Sequence, residues 1–122
     1  MSSFDVTFQL VDSPVDKSES GGSVAGDGLV GVFRDFPFAK EIARAKEGAT
    51  FPTIMFRRLS DGEEVSVWTI DDKQFDLCFV KNGKKSFLNN RSKDQVEEIL
   101  IRFRTESVDA IRPPSLWRKL FG

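Results

Sequence analysis

The chain has no histidine, no tyrosine and one cysteine, Cys78. Without histidine the commonest general base and the commonest nitrogen ligand for metals are missing, and without tyrosine so is the phenolic acid. Carboxylates and lysines remain, yet no spacing among them marks a carboxylate-only catalytic site. One cysteine allows neither an internal disulfide nor a paired-cysteine metal site. As a nucleophile, Cys78 would need a base such as histidine to form thiolate. It falls inside an apparent strand, so the expectation is a structural thiol in a reducing compartment, in a protein that is not an enzyme and uses no cofactor or metal.

Long apolar runs are also missing: nothing approaches the roughly 18 residues that cross a bilayer. Met1-Ser2-Ser3-Phe4-Asp5 has no basic start followed by an apolar stretch, so no secretory signal is expected and the cytoplasm is the expected location. The glycines of Gly21-Gly22-Ser23-Val24-Ala25-Gly26-Asp27-Gly28 show neither GxGxxG spacing nor a following GK[ST], which leaves them without a phosphate-binding signature. There is no internal repeat.

What is present is a chain of 122 residues, 39% hydrophobic and 30% charged, with a formal charge of −1. That is enough for one domain with a real core. Residues 1–122 read as a single domain, with a flexible loop at 11–28 and a tail at 112–122. Met1 to Val30 holds five acids against Lys17, while Lys73 to Arg104 holds eight bases against four acids, so the molecule is dipolar. The near-neutral total argues against a dedicated nucleic-acid protein.

Phe4 to Leu10 alternates as a strand with one apolar face. Val11 to Gly28, rich in Ser, Gly and Asp, has too few apolar residues to offset its ordering entropy and reads as a long mobile loop. Leu29 to Phe33 is an apolar run of undecided state. Pro37 in a first turn and Gly48 past the end frame a short helix with Phe38, Ile42 and Ala45 on one face. From Thr53 the period becomes two: strands Thr53–Leu59, Glu64–Ile70, Phe75–Lys81 and Lys84–Asn89 are separated by turns at Ser60-Asp61-Gly62, Asp71-Asp72-Lys73 and Asn82-Gly83. Asn-Gly suits a type I′ hairpin because both residues tolerate positive φ. Ser92-Lys93-Asp94-Gln95 has the form of a capping box, followed at helical spacing by Val96, Ile99, Leu100 and Phe103. Val108 and Ile111 are apolar, and Pro113-Pro114 ends any regular element. Ser115 to Phe121 is a small basic amphipathic piece that either docks on the domain or contacts a partner. The expected fold is α+β: a four- to five-stranded antiparallel meander with two helices packed mainly on one face.

Alternation sends Phe75, Leu77 and Phe79 to the core together with Val65 and Val67. Trp68, Ser66, Asp76 and Cys78 then share the opposite, mixed face. Trp68 among polar neighbours is an amphipathic anchor of the kind binding surfaces use, or else a side chain covered by the 11–28 loop or the tail. Acids gather at the turns, Asp61, Glu63 and Glu64 in one and Asp71 and Asp72 in the next. They are ordinary solvated turn residues, or acceptors that speed association with a basic partner. The candidate partner-binding residues are accordingly Trp68, Asp71, Asp72, Asp76, Glu63 and Glu64, with the Lys84-Lys85 edge next in line.

The runs DFPFAKEIARAK, FPTIMFRRLSDGEEVSVWTI and SKDQVEEILIRF, between Phe33 and Phe103, resemble a group of small bacterial α+β proteins. That group has a Phe-Pro helix, a Pro-Thr-led strand, an Asp-Gly turn and a Gln-Val-Glu-Glu helix. The chain departs from it at Glu64-Val65-Ser66-Val67, where a more aromatic strand is expected. In size and charge such proteins resemble the immunity proteins encoded beside toxins of bacterial secretion systems, type VI among them. The resemblance implies a non-catalytic cytosolic protein that neutralises a basic toxin or effector by occluding its active site. The rival expectation is a secretion chaperone or adaptor that dimerises and holds an effector segment. Neither nucleic acid nor membrane is the expected partner, and the sequence leaves room for a homodimer.

Overall fold

The computed structural model describes residues 3–10, 19–44 and 51–111. Its frame is an antiparallel sheet of β1 (Ser3–Gln9), β2 (Glu19–Ala25), β3 (Thr53–Arg58), β4 (Glu64–Thr69), β5 (Phe75–Lys81) and β6 (Lys84–Arg91), in the order β2-β1-β3-β4-β5-β6. From β3 onward successive strands are neighbours. Strands β2 and β3 both pair with β1, so the chain between them crosses from one side of β1 to the other. That crossing carries α1 (Leu29–Asp35) and α2 (Phe38–Arg44). After β6 come α3 (Lys93–Phe103) and α4 (Val108–Ile111).

The α+β class is as expected from the sequence, and the detail is richer: six strands and four α-helices among the described residues. The sixth strand lies inside the stretch expected to be a mobile loop. Residues 19–25 pair with β1 from Ser3↔Ala25 to Phe8↔Glu19, with a bulge at Val6/Thr7, and residues 26–28 form a 3-10 turn. Residues 11–18 of that stretch lie outside the described residues. Ser20-Gly21-Gly22 gives no apolar alternation; backbone ladder bonds hold this part of the edge, while Val24 further along packs against the core. The Leu29 to Phe33 run is helical. Leu29 and Phe33, one turn apart, are both buried, and α1 packs on α3, where Arg34 forks onto Glu97 at 2.7 and 3.0 Å.

The α2 helix buries Phe38 and Glu41, leaves Ile42 half-buried, and ends at Arg44, which donates to Glu41 at 2.5 Å. Ala45 and Gly48 lie outside the described residues. Helix α3 starts on the anticipated capping box: Gln95 N–H donates to Ser92 Oγ at 3.2 Å and Ser92 N–H to Gln95 Oε1 at 2.9 Å. Val96, Leu100 and Phe103 form its buried stripe. Val108 and Ile111, left without an element by sequence, are the buried residues of α4.

One core results. Phe4, Val6, Ile54, Phe56, Val65, Val67, Phe75, Leu77 and Phe79 from one face of the sheet meet Leu29, Phe33, Phe36, Phe38, Val96, Leu100, Phe103, Val108 and Ile111 from the helical layer. Phe75 receives Phe33 and Phe38 edge-on, both at 5.2 Å between ring centroids, in the geometry aromatic quadrupoles favour.

Besides Glu41 of α2, buried charge meets this layer at the end of β3. Arg58 at the end of β3 is 5% exposed, with its guanidinium 4.4 Å from the Phe103 ring centroid. It donates to the Phe103 carbonyl, to the Glu106 carbonyl at 2.6 Å and to Asp61 at 3.0 Å. These carbonyls belong to the end of α3 and the turn after it, where the last helical carbonyls have no intrahelical partner. Among the described residues no helix is long and apolar enough to cross a membrane, which says nothing of strands.

Candidate functional site

The second face of the sheet carries no helix among the described residues, and the register fixes what it displays. One row runs Thr7, Met55, Ser66, Cys78, Phe87 across β1, β3, β4, β5 and β6. On one side of it lies Gln9, Thr53, Trp68, Asp76, and on the other Asp5, Arg57, Glu64, Val80, Lys85. Met55, Trp68, Cys78, Val80 and Phe87 make an apolar stripe across β3 to β6, broken by Ser66 and rimmed by charge.

Trp68 is half-buried, and its ring meets Phe87 edge-on at 6.4 Å between centroids, reaching over β5 to do so. Phe87 is 56% exposed, and with Trp68 it forms an aromatic pair on this face. Cys78 lies beneath the pair with 8% of its surface exposed. Burial pushes its thiol above the usual range, opposed by the charge of Lys85 and reinforced by that of Glu64. A thiol held protonated is a poor nucleophile and a serviceable apolar floor. On the rim Arg57 is tied to Asp5 at 3.2 Å, and Ser23 Oγ donates to the same carboxylate at 3.0 Å.

The six candidate residues separate. Trp68, Asp76 and Glu64 share the open face, Asp76 directly across from Trp68. Asp76 also accepts the Asn90 N–H at 3.0 Å, which holds the bulge near the end of β6. Asp71 is folded into its own turn: Oδ1 accepts from Lys73 N–H at 2.9 Å and Gln74 N–H at 3.0 Å, while Thr69 Oγ1 donates to the Gln74 carbonyl at 2.7 Å. The Gln74 and Lys73 amides hold the Asp71 carboxyl below the usual carboxylate range.

Asp72, at φ 62°, lies toward the helical layer. It lines a cavity of about 110 Å³ with Phe33, Arg34, Phe38, Lys93 and Glu97, and its Oδ1 is 3.8 Å from Lys93 Nζ. Glu63 is 7% exposed and also turned to the helices, accepting from Val108 N–H at 2.6 Å and from Ser107 Oγ at 3.3 Å, with Arg58 at 3.7 Å and Lys81 at 3.9 Å. Glu63 and Asp72 are thus not brought together with Trp68.

Sequence reasoning missed Phe87 and Met55, and a signal for Phe87 was present. A two-residue Asn82-Gly83 turn sets Lys81 opposite Lys84, and counting back along both strands places Phe87 against Cys78, on the side of Trp68. Met55 needed the β3–β4 register, which a longer turn does not fix. Among the described residues no group of three or more Asp, Glu or Cys could hold a metal ion. Compared with family models, with curated proteins and with solved structures, the chain matches none.

Proposed function

We propose that this chain is a non-catalytic protein-binding module that grips its partner with the open face of the sheet, Trp68 and Phe87 serving as the anchor. The observation that carries the reading is the pairing of a half-buried tryptophan with a phenylalanine 56% exposed, on the one sheet face that the described helices leave bare. Large aromatics at the centre of a patch with a charged rim are where binding energy concentrates. Glu64 and Asp76 beside the stripe provide acceptors for a basic partner, which is the polarity proposed here. The finer reading, an immunity protein that neutralises a secreted toxin by covering its active site, rests on the resemblance of the sequence and on the want of histidine and tyrosine.

The test is co-expression of the chain with the product of the adjacent gene, followed by co-purification, a toxicity assay and binding kinetics. A stable complex is expected, and Trp68→Ala should weaken it by about 2 kcal/mol or more while the variant stays folded. Wild-type affinity in folded Trp68→Ala and Phe87→Ala variants would move the interface off this face.

A further inference from the structure

Among the described residues the outer edge of β6 pairs with no further strand; its main-chain groups adjoin the open face, to which Lys85 and Phe87 contribute their side chains. The Asn82-Gly83 turn, with φ 52° and 76°, closes on Lys81 and Lys84, which therefore exchange the hydrogen bonds of a two-residue hairpin. In an antiparallel ladder bonded and non-bonded pairs alternate. Ser86 and Leu88 bond inward to Phe79 and Leu77, and Lys85 and Phe87, opposite Val80 and Cys78, turn their N–H and C=O groups outward. Residues 84–88 are in regular register, and the irregularity comes only beyond them, where Asn90 takes φ 60°. The opposite edge, β2, is bulged and carries Gly21 and Gly22, which makes it a poorer template.

Charge selects what can pair there. Strand β6 reads Lys-Lys-Ser-Phe-Leu-Asn-Asn-Arg, with three bases and no acid. A second copy would bring three more bases and no acid to an edge that already carries three, although antiparallel addition over residues 85–87 sets Lys85 across from Phe87 rather than from another lysine. Lys84 and Lys85 are both exposed and project to opposite faces, so they frame the start of the edge from both sides. We infer that the β6 edge accepts an extended acidic segment of a protein partner as a seventh strand, bonded to the outward groups of Lys85 and Phe87 and led into place by Lys84 and Lys85. Lysines on edge strands also serve to prevent edge-to-edge aggregation. That role asks for a charge in the middle of the free ladder, whereas these lysines stand at its hairpin end and leave Ser86 to Leu88 unguarded beside an exposed Phe87.

The experiment titrates two short peptides into the intact chain, each a run of alternating valine and threonine with a pair of glutamates at one end or at the other. These cover antiparallel and parallel addition. At least one should bind, slow hydrogen exchange at the Lys85 and Phe87 amides, and lose affinity by about tenfold or more in the Lys84→Glu/Lys85→Glu variant and in raised salt. N-methylation of the peptide backbone should abolish binding, because strand addition depends on main-chain donors. Absence of binding by both peptides overturns the inference. So does binding that survives N-methylation or leaves the Lys85 and Phe87 amides unprotected. Self-association of Lys84→Thr/Lys85→Thr, with no peptide binding to the native chain, would assign the lysines to edge protection alone and also overturn it. The titration uses chain and peptide only, so its failure is distinguishable from failure of the Trp68 reading, which is measured on the co-expressed complex.

Discussion

Trp68 on β4 and Phe87 on β6 meet edge-on over the intervening strand, and each is the other's cover on a face that has no helix among the described residues. Removing one ring should therefore expose the other more than it unfolds the domain. In a Trp117→Phe background, which leaves Trp68 as the single emitter, Phe87→Ala should shift emission to the red and raise quenching by iodide. The melting temperature should fall little, since Phe87 is already 56% exposed. Unchanged emission would mean that the contact is not made in solution.

Asp71 was a candidate for meeting a basic partner, and the structure has it tying its own turn through the Gln74 and Lys73 amides. Its folded pKa is lowered, so it contributes stability that is present above the ordinary carboxylate range and lost as pH falls through the lowered folded value. The carboxyl carbon followed by NMR should titrate below a normal aspartate. Asp71→Asn should flatten the acid limb of the stability profile in that window. Charge reversal at Asp71 would accordingly act on the turn as well as on any partner, so Glu64→Lys is the cleaner probe of electrostatic steering. It should slow association with a basic partner more than it speeds dissociation.

The parts legible in sequence are those where side-chain pattern and structure share a cause. The β3–β6 meander, the Asn82-Gly83 turn and the Ser92–Gln95 box are each dictated by burial period or turn chemistry within a few residues. Strand β2 was not legible because a glycine-rich edge held by ladder bonds leaves no apolar period. Nor was α1: Val30, Gly31 and Val32 are poor helix formers, and the helix exists because Leu29 and Phe33 reach the core from one side. Glu63 and Asp72 looked like surface acids because neither the ends of α3 and α4 nor the Lys93 side chain that meet them are close in sequence.

The hidden strand yields a prediction of its own. A Cβ on Gly21 would come within 2.5 Å of Phe8 Cε2, and that ring cannot swing freely because it stacks on Phe36 at 5.3 Å. Gly21→Ala should cost about 1–3 kcal/mol, as overpacking does. Phe8→Leu should absorb much of that cost, so the double variant falls short of the sum of the singles. Urea denaturation of the four proteins measures it, and additive losses would show that β2 does not lie against Phe8.

The buried ion cluster separates stability from binding. Arg58 and Glu63 tie the β3–β4 turn to the helical layer, Arg58 through carbonyls of Phe103 and Glu106 and Glu63 through the first amide of α4. Arg58→Ala removes the donor to those carbonyls and the arginine beside the Glu63 carboxylate, which keeps the Val108 N–H, Ser107 Oγ and Lys81 at 3.9 Å. It should destabilise by about 3–5 kcal/mol. Arg58→Lys keeps the charge but loses the fork and the stacking on Phe103, and should recover only part of the loss. Glu63→Gln retains an acceptor and should act locally, speeding hydrogen exchange at Val108 and along α4 while β4 and β5 stay protected. Since Glu63 faces the helices and Trp68 the open side, Glu63→Gln should leave partner affinity at the wild-type value in the same co-expression assay that registers Trp68→Ala. A loss of affinity in a folded Glu63→Gln variant, equal to that of Trp68→Ala, would place the grip on the helical side of the sheet instead.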